Sequence, residues 1–429
     1  MNSLSWVTLP VFLALSMLSP AVAQEPSPPS PTSPSSTSQA AAAPAARGRS
    51  LALTQALDRA AKQNLDLVAA RAQRAVALAG IRIAGQRPNP SVNFAATRDE
   101  PHESLFFDQP LELGSKRRRR IELAQQETAL TDTQIAAAER QVRRNTRDAY
   151  FALALARGAT AQRSGILKLA ERLDEIAKAR FAAGDIPQLE VTQAELEVSR
   201  ARADFQIAQQ QEKVTLTELN ALLNEPPSTD WDLGEALSGL PPVITLSDML
   251  SRAAGSNSDI ARITQELKVE QSRKALYQAQ RIPNLVLQAG MDFNSPPDFQ
   301  VGARGQVSME MPIFSRYQGE IAQSTAAASA LESELAAARR SVEAHVESAF
   351  YDLDARRAQV RLYRDTLLPS SRRLEEMAEE SYQAGKANIL TVLGAQRDVQ
   401  QVERDYLDSL LAMQTSFAVL EEAVGVPLD

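Results

Sequence analysis

Leu53-Thr54-Gln55-Ala56-Leu57 returns near the middle of the chain as Leu246-Ser247-Asp248-Met249-Leu250, and this pair of stretches decides how the rest is read. Continuing outward without a gap, Asn64 meets Asn257, Asp66 meets Asp259 and Pro90 meets Pro283. Farther on, Ala149-Tyr150-Phe151 meets Ala349-Phe350-Tyr351, Ala183-Gly184 meets Ala384-Gly385, and Pro226 meets Pro427. The spacing drifts only from about 193 to about 201 residues, far beyond a solenoid period, so the chain is a tandem duplication of one long unit.

Both units, 51–240 and 244–429, have the same order: helix, strand, strand, long helix, helix. In the first, Leu53, Leu57, Ala60, Ala61, Leu65 and Val68 fall on helical spacing and predict one helix over 51–86, stopped by Pro88 and Pro90. Strands follow at about 91–98 and 104–112, then long helices at about 115–181 and 188–223, reversing at Ala183-Gly184-Asp185-Ile186-Pro187. The second unit gives strands at about 284–293 and 300–311 and helices at about 316–383 and 388–424. Its strands alternate cleanly: Leu285, Leu287, Ala289, Met291 and Phe293 against Val286, Gln288, Gly290 and Asp292. Val301, Ala303, Gly305, Val307, Met309 and Met311 likewise alternate with Gly302, Arg304, Gln306, Ser308 and Glu310.

These stretches have the length of tilted transmembrane β-strands, roughly 9 to 11 residues. Asp292, Arg304 and Glu310 would then face a watery lumen. Four strands cannot close a barrel, and an open edge in hydrocarbon leaves backbone groups unpaired at several kcal/mol each. Copies must pool their strands, and a conducting pore favours three or more copies because an eight-stranded barrel fills with side chains. A helix over 115–181 would span about 100 Å at 1.5 Å per residue, thicker than any compact domain.

Composition agrees. Aromatic residues make up 5% and apolar residues 44%, with alanine runs such as Ala136-Ala137-Ala138, which suits long, closely packed helices. No cysteine is present, which removes disulfides, thiolate metal sites and a lipid-bearing N-terminal thiol. The net charge of −7 argues against nucleic acid as a partner. Residues 6–18 are apolar and precede Ala21-Val22-Ala23, which predicts an export signal over 1–23. The Pro/Ser/Ala-rich stretch 24–49 reads as a disordered leader. No later segment is apolar enough for a transmembrane helix.

Few residues carry chemistry. His102 lies in an outer hairpin loop and His345 on a long helix, neither in a ligand pattern, so no metal, cofactor or catalytic residue is expected. Lys116, Arg117, Arg118, Arg119 and Arg120 are five consecutive cations at a helix start, where they oppose its dipole. They read either as a contact with lipid phosphates at the barrel rim or as a solvated face with interhelical salt bridges.

The duplicated helix-strand-strand-helix plan resembles the TolC-like outer-membrane factors over residues 51–429. Gln109-Pro110-Leu111-Glu112-Leu113-Gly114-Ser115-Lys116-Arg117 looks like the second-strand exit of their cobalt-zinc-cadmium efflux branch. Arg180-Phe181-Ala182-Ala183-Gly184 and Ser381-Tyr382-Gln383-Ala384-Gly385 look like their periplasmic tips. The resemblance implies a mainly α fold with a small β part. Four strands per chain would join a trimeric twelve-stranded transmembrane β-barrel, continuous with a long periplasmic α-helical barrel. It implies an outer-membrane homotrimer in contact with outer-membrane lipid, passively passing heavy-metal cations from a periplasmic adaptor and an inner-membrane pump of the resistance-nodulation-division class. Arg180, Phe181, Gly184, Asp185, Tyr382, Gly385 and Lys386 would dock the adaptor. Glu190, Gln193 and Thr391 would stand at the periplasmic gate, where Thr391 and Gly394 depart from the acidic residues of related ducts. Alternatives are the same duct serving drug efflux or type I protein secretion, or a periplasmic coiled-coil adaptor, which would carry one helical hairpin and no duplication.

Overall fold

The computed structural model describes residues 49–233, 245–295, 297 and 299–428. The expected signal segment and the leader lie outside the described residues, except that Arg49, placed in the leader by sequence, begins a strand. The first unit runs β1 (Arg49–Leu51), α1 (Leu53–Gln63), α2 (Leu65–Ala84), β2 (Ser91–Ala96), β3 (Glu103–Leu111), α3 (Lys116–Ala182) and α4 (Gln188–Leu222). β4 (Trp231–Leu233) closes the first unit, and the second runs α5 (Leu246–Ser256), α6 (Ser258–Gln280), β5 (Leu285–Ser295), β6 (Phe299–Met309), α7 (Gln318–Leu362), α8 (Leu368–Gln383) and α9 (Ile389–Val424). A π-helical turn, Tyr363–Leu367, joins α7 to α8 just before Pro369, so the expected helix over 316–383 is interrupted.

The helix expected over 51–86 is two helices, and Asn64 is the reason. Its backbone is extended (ψ 125°), its Oδ1 accepts the amide of Leu67 at 3.1 Å, and its Nδ2 donates to the carbonyl of Leu222 at 3.1 Å. It therefore caps α2 and ties it to the last carbonyls of α4, which lack partners within their own helix. Asn257 repeats the device: it accepts from Asp259 and Ile260 and donates to Ala423 of α9 at 2.8 Å.

α3 has 67 residues, hence about 100 Å at 1.5 Å per residue. It packs against α2 toward the sheet and against α4 toward the α3–α4 turn, with α6 and α9 on other faces. The main core lies at mid-length, where α1 packs on α3 and α5 packs on α7 and α9: Leu57, Tyr150, Leu153, Leu219, Met249, Val346, Met413 and Phe417 are buried there. Tyr150 reaches that core with its ring and donates its hydroxyl to the carbonyl of Leu51 at 3.1 Å. Trp231 of β4, which pairs in parallel with β1, donates to Asn220 Oδ1 at 2.6 Å under the guanidinium of Arg59.

The other sheet has the order β2-β3-β5-β6, antiparallel throughout. Its middle pair, β3 with β5, joins the two units. β2 and β6 are its outer strands.

Candidate functional site

Alternation and register give this sheet two unlike faces. On one, Val92 and Phe94 of β2 stand beside Leu105, Phe107 and Leu111 of β3, then Leu285, Leu287, Ala289, Met291 and Phe293, then Val301, Ala303, Val307 and Met309. Most of these large apolar side chains are exposed, Val92 at 68% and Phe94 at 67%, so among the described residues a wide apolar surface lacks cover. Patches of this extent mark a membrane or partner contact.

The opposite face is polar. Asp292 is buried, accepts the Ser104 hydroxyl at 2.8 Å and lies 3.7 Å from the Arg304 guanidinium. Arg304 rests over the Phe106 ring, and Asn93 donates to Asp108 at 2.6 Å. Phe106 in turn covers Gly290, where a Cβ would meet its ring at 2.4 Å. The structure thus brings together two of the three expected lumen residues; Glu310 is exposed one residue beyond β6.

Below the sheet, the basic run is held by protein. Lys116 is buried and donates to Asn284 Oδ1 at 2.6 Å; Arg117 donates to the carbonyl of Gly85 at 2.6 Å. Arg120 pairs with Glu112 and reaches the carbonyls of Ala84 and Gln86, while Arg118 and Arg119 pair with Glu122. These cations oppose the dipole of α3 but answer that of α2, whose C-terminal carbonyls end beside them. The hydrogen bond from Arg120 holds the Glu112 carboxyl below its usual range, and burial pushes the Lys116 ammonium down.

At the far end the α3–α4 and α8–α9 turns sit side by side. Gly184 (φ 82°) and Gly385 (φ 70°) take the left-handed conformation that lets each chain reverse, and nothing lies within 4 Å of the Cβ either lacks. Leu173, Ala177, Ile186, Val191, Ile389, Val392 and Leu393 form a second core around Tyr382.

The family model described as outer membrane efflux protein matches residues 56–225 and 249–426, one segment in each unit. The chain belongs to that family. The cobalt-zinc-cadmium resistance protein CzcC of Cupriavidus metallidurans is 27% identical over 97% of this chain and 99% of its own length. The pyoverdine export outer membrane protein OpmQ of Pseudomonas aeruginosa is 27% identical over 60% of this chain and 54% of its own. The crystal structure of the outer membrane protein VceC from Vibrio cholerae superimposes with a TM-score of 0.70 at 17% identity, covering 88% of this chain and 97% of that one.

As an outer membrane efflux protein, the chain presents at its tips Phe181, Gly184, Asp185, Gly385 and Lys386 as exposed residues. Tyr382 is 0% exposed and locks the two hairpins together. Arg180, half-buried, lays its guanidinium 5.0 Å from the Tyr382 ring centre. Burial pushes the Tyr382 hydroxyl up and the charge of Glu190 adds to this, with Arg180 acting in the opposite sense. Of the expected gate residues, Glu190 is half-buried at the start of α4, and Gln193 is half-buried one turn farther along. Thr391 is exposed and bonded to Asn388 at 3.0 Å through both its amide and its hydroxyl. Among the described residues no group of three His, Asp or Glu side chains is placed to hold a metal ion. Sequence reasoning paired Asn64 with Asn257 without seeing their role; identical residues at equivalent places in both units were the available signal.

Proposed function

We propose that three copies of this outer membrane efflux protein pool their sheets into a twelve-stranded barrel through the outer membrane, above a periplasmic tunnel built from the long helices. The observation that carries this reading is the sheet, uncovered and apolar on one face, polar on the other, with two outer strands open to further pairing. In hydrocarbon such a sheet is stable only when closed. Among the described residues no helix is long and apolar enough to cross a membrane.

The duct is passive and performs no catalysis. A periplasmic adaptor docks on the exposed tips around Phe181, Asp185 and Lys386 and links the duct to an inner-membrane pump of the resistance-nodulation-division class. Likeness to a cobalt-zinc-cadmium resistance protein along nearly the whole chain supports heavy-metal cations as cargo. Likeness to a pyoverdine exporter over part of the chain supports an organic cargo as the second reading. Deleting the gene separates them. Lost tolerance to cobalt, zinc or cadmium, restored by the intact gene, is the expected result; unchanged metal tolerance with lost export of an organic compound overturns the cation reading.

A further inference from the structure

The seam inside one chain specifies the seam between chains. Laying β2 on β5 with Pro90 on Pro283, and β3 on β6 with Pro110 on Pro312, makes the two hairpins coincide residue for residue: the pair Val92–Phe107 becomes Leu285–Met309. The helices below agree, since α3 and α7 both begin after a residue in the left-handed conformation, Ser115 (φ 64°) and Tyr317 (φ 57°). The equivalence is therefore structural as well as textual.

The internal seam pairs Leu111 with Leu285, Gln109 with Leu287 and Phe107 with Ala289. We infer that β6 of one copy pairs with β2 of the next in the same register, Ile313 opposite Val92, Met311 opposite Phe94 and Met309 opposite Ala96. This rests on the pooled-barrel reading above and adds the contact by which a second copy is recognised.

Two observations support that register, and its stagger follows from the same equivalence. Val92, Phe94, Ala96 and Met309 fall on the apolar face, Met311 and Ile313 continue its alternation beyond β6, and all six are exposed in the single chain, Ile313 at 62% and Met311 at 64%. A slip of one residue would set Met311 against Asn93, whose side chain belongs to the polar face, and a half-buried sheet resists such a slip strongly. Straight across one unit from Val92, through Phe107, the chain arrives at Ala289, four residues beyond Leu285, the equivalent of Val92. A ring of equivalent units needs the same advance at every seam, and from Leu285 through Met309 it leads to Ala96 of the next copy.

One consequence is that residues 310–313, which follow β6 outside any strand in the single chain, become strand on assembly. Pro312 is no obstacle, because Pro110 occupies the equivalent place within β3, opposite Val286. Met311 and Ile313 are thereby turned to lipid.

The chain contains no cysteine, so introduced pairs oxidise without background. In the full-length protein in membranes, A96C/M309C and F94C/M311C are expected to give covalent trimers on non-reducing gels. The shifted pairs F94C/M309C and A96C/M311C should stay monomeric, because directly opposed residues bring their Cβ atoms to about 4.5–5.5 Å and diagonal ones remain at about 7–8 Å. Cross-linking of the shifted pairs alone overturns the register and leaves the trimer standing. A heat-sensitive trimer that no pair cross-links overturns the seam. A native mass of one chain overturns the pooled barrel with it. Should the cysteine variants fail to insert, a photoreactive benzoylphenylalanine at Phe94 in the otherwise unaltered chain decides the matter: attachment to 309–313 supports the register, and attachment elsewhere overturns it.

Discussion

Asn64 and Asn257 each perform two tasks with one side chain. The oxygen caps a helix that starts beside it, and the nitrogen ties that helix to a carbonyl 158 or 166 residues away. Loss of an N-cap costs about 1 kcal/mol and loss of a bond to a part-buried carbonyl about as much again. N64A and N257A are each expected to destabilise the protein by about 2 kcal/mol, read as a lower urea midpoint for loss of the heat-sensitive oligomer. The sequence showed these asparagines as a matched pair and no more. Apolar spacing continues on both sides of Asn64, and the carbonyl that makes it a break lies in a distant helix. Tyr382 was opaque for a related reason: an aromatic residue next to a turn reads alike whether it projects outward or locks two hairpins. The basic run was half legible. Its conflict with α3 was visible, whereas the carbonyls of α2 that resolve the conflict were not.

Elements were most legible where periodicity and duplication coincided. The strands announced themselves by alternation in the second unit and by position in the first. The paired helices showed through the glycine turns at Gly184 and Gly385. What sequence could not give was how helices press against one another. Glu375 on α8 is half-buried with Glu403 of α9 and Glu379 nearby; burial first, and those charges second, push its carboxyl above the usual range. A pKa higher in the folded than in the unfolded state means that the folded state holds the proton more tightly, so this group favours folding at acid pH and opposes it once pH rises through the raised value. E375Q is accordingly expected to raise the urea midpoint at pH 7, with the gain vanishing as pH falls below the ordinary carboxylate range.

At the scale of the molecule, the contrast between the two faces of the sheet governs where a charge is tolerated. An arginine on the lipid side of a barrel costs about 2–4 kcal/mol near the bilayer midplane, and one in the lumen meets water. M291R should therefore abolish the heat-sensitive oligomer, whereas Q288R, three residues earlier in β5 and facing the other way, should leave assembly intact. Equal loss from both substitutions would show that the apolar face does not lie against lipid.

The π turn at Tyr363–Leu367 bears on how two copies of one unit could drift apart and still fit together. From Phe151 to Gly184 the first unit spends one residue fewer than the second does from Tyr351 to Gly385, and the wide turn lies in that interval. In a regular helix an added residue would swing everything beyond it by about 100°. Looping the extra residue into a single wide turn keeps Ala378 and Tyr382 aimed at their neighbours. The defect acts as a local phase corrector, and it leaves the length of one hairpin open to change without retuning its mate.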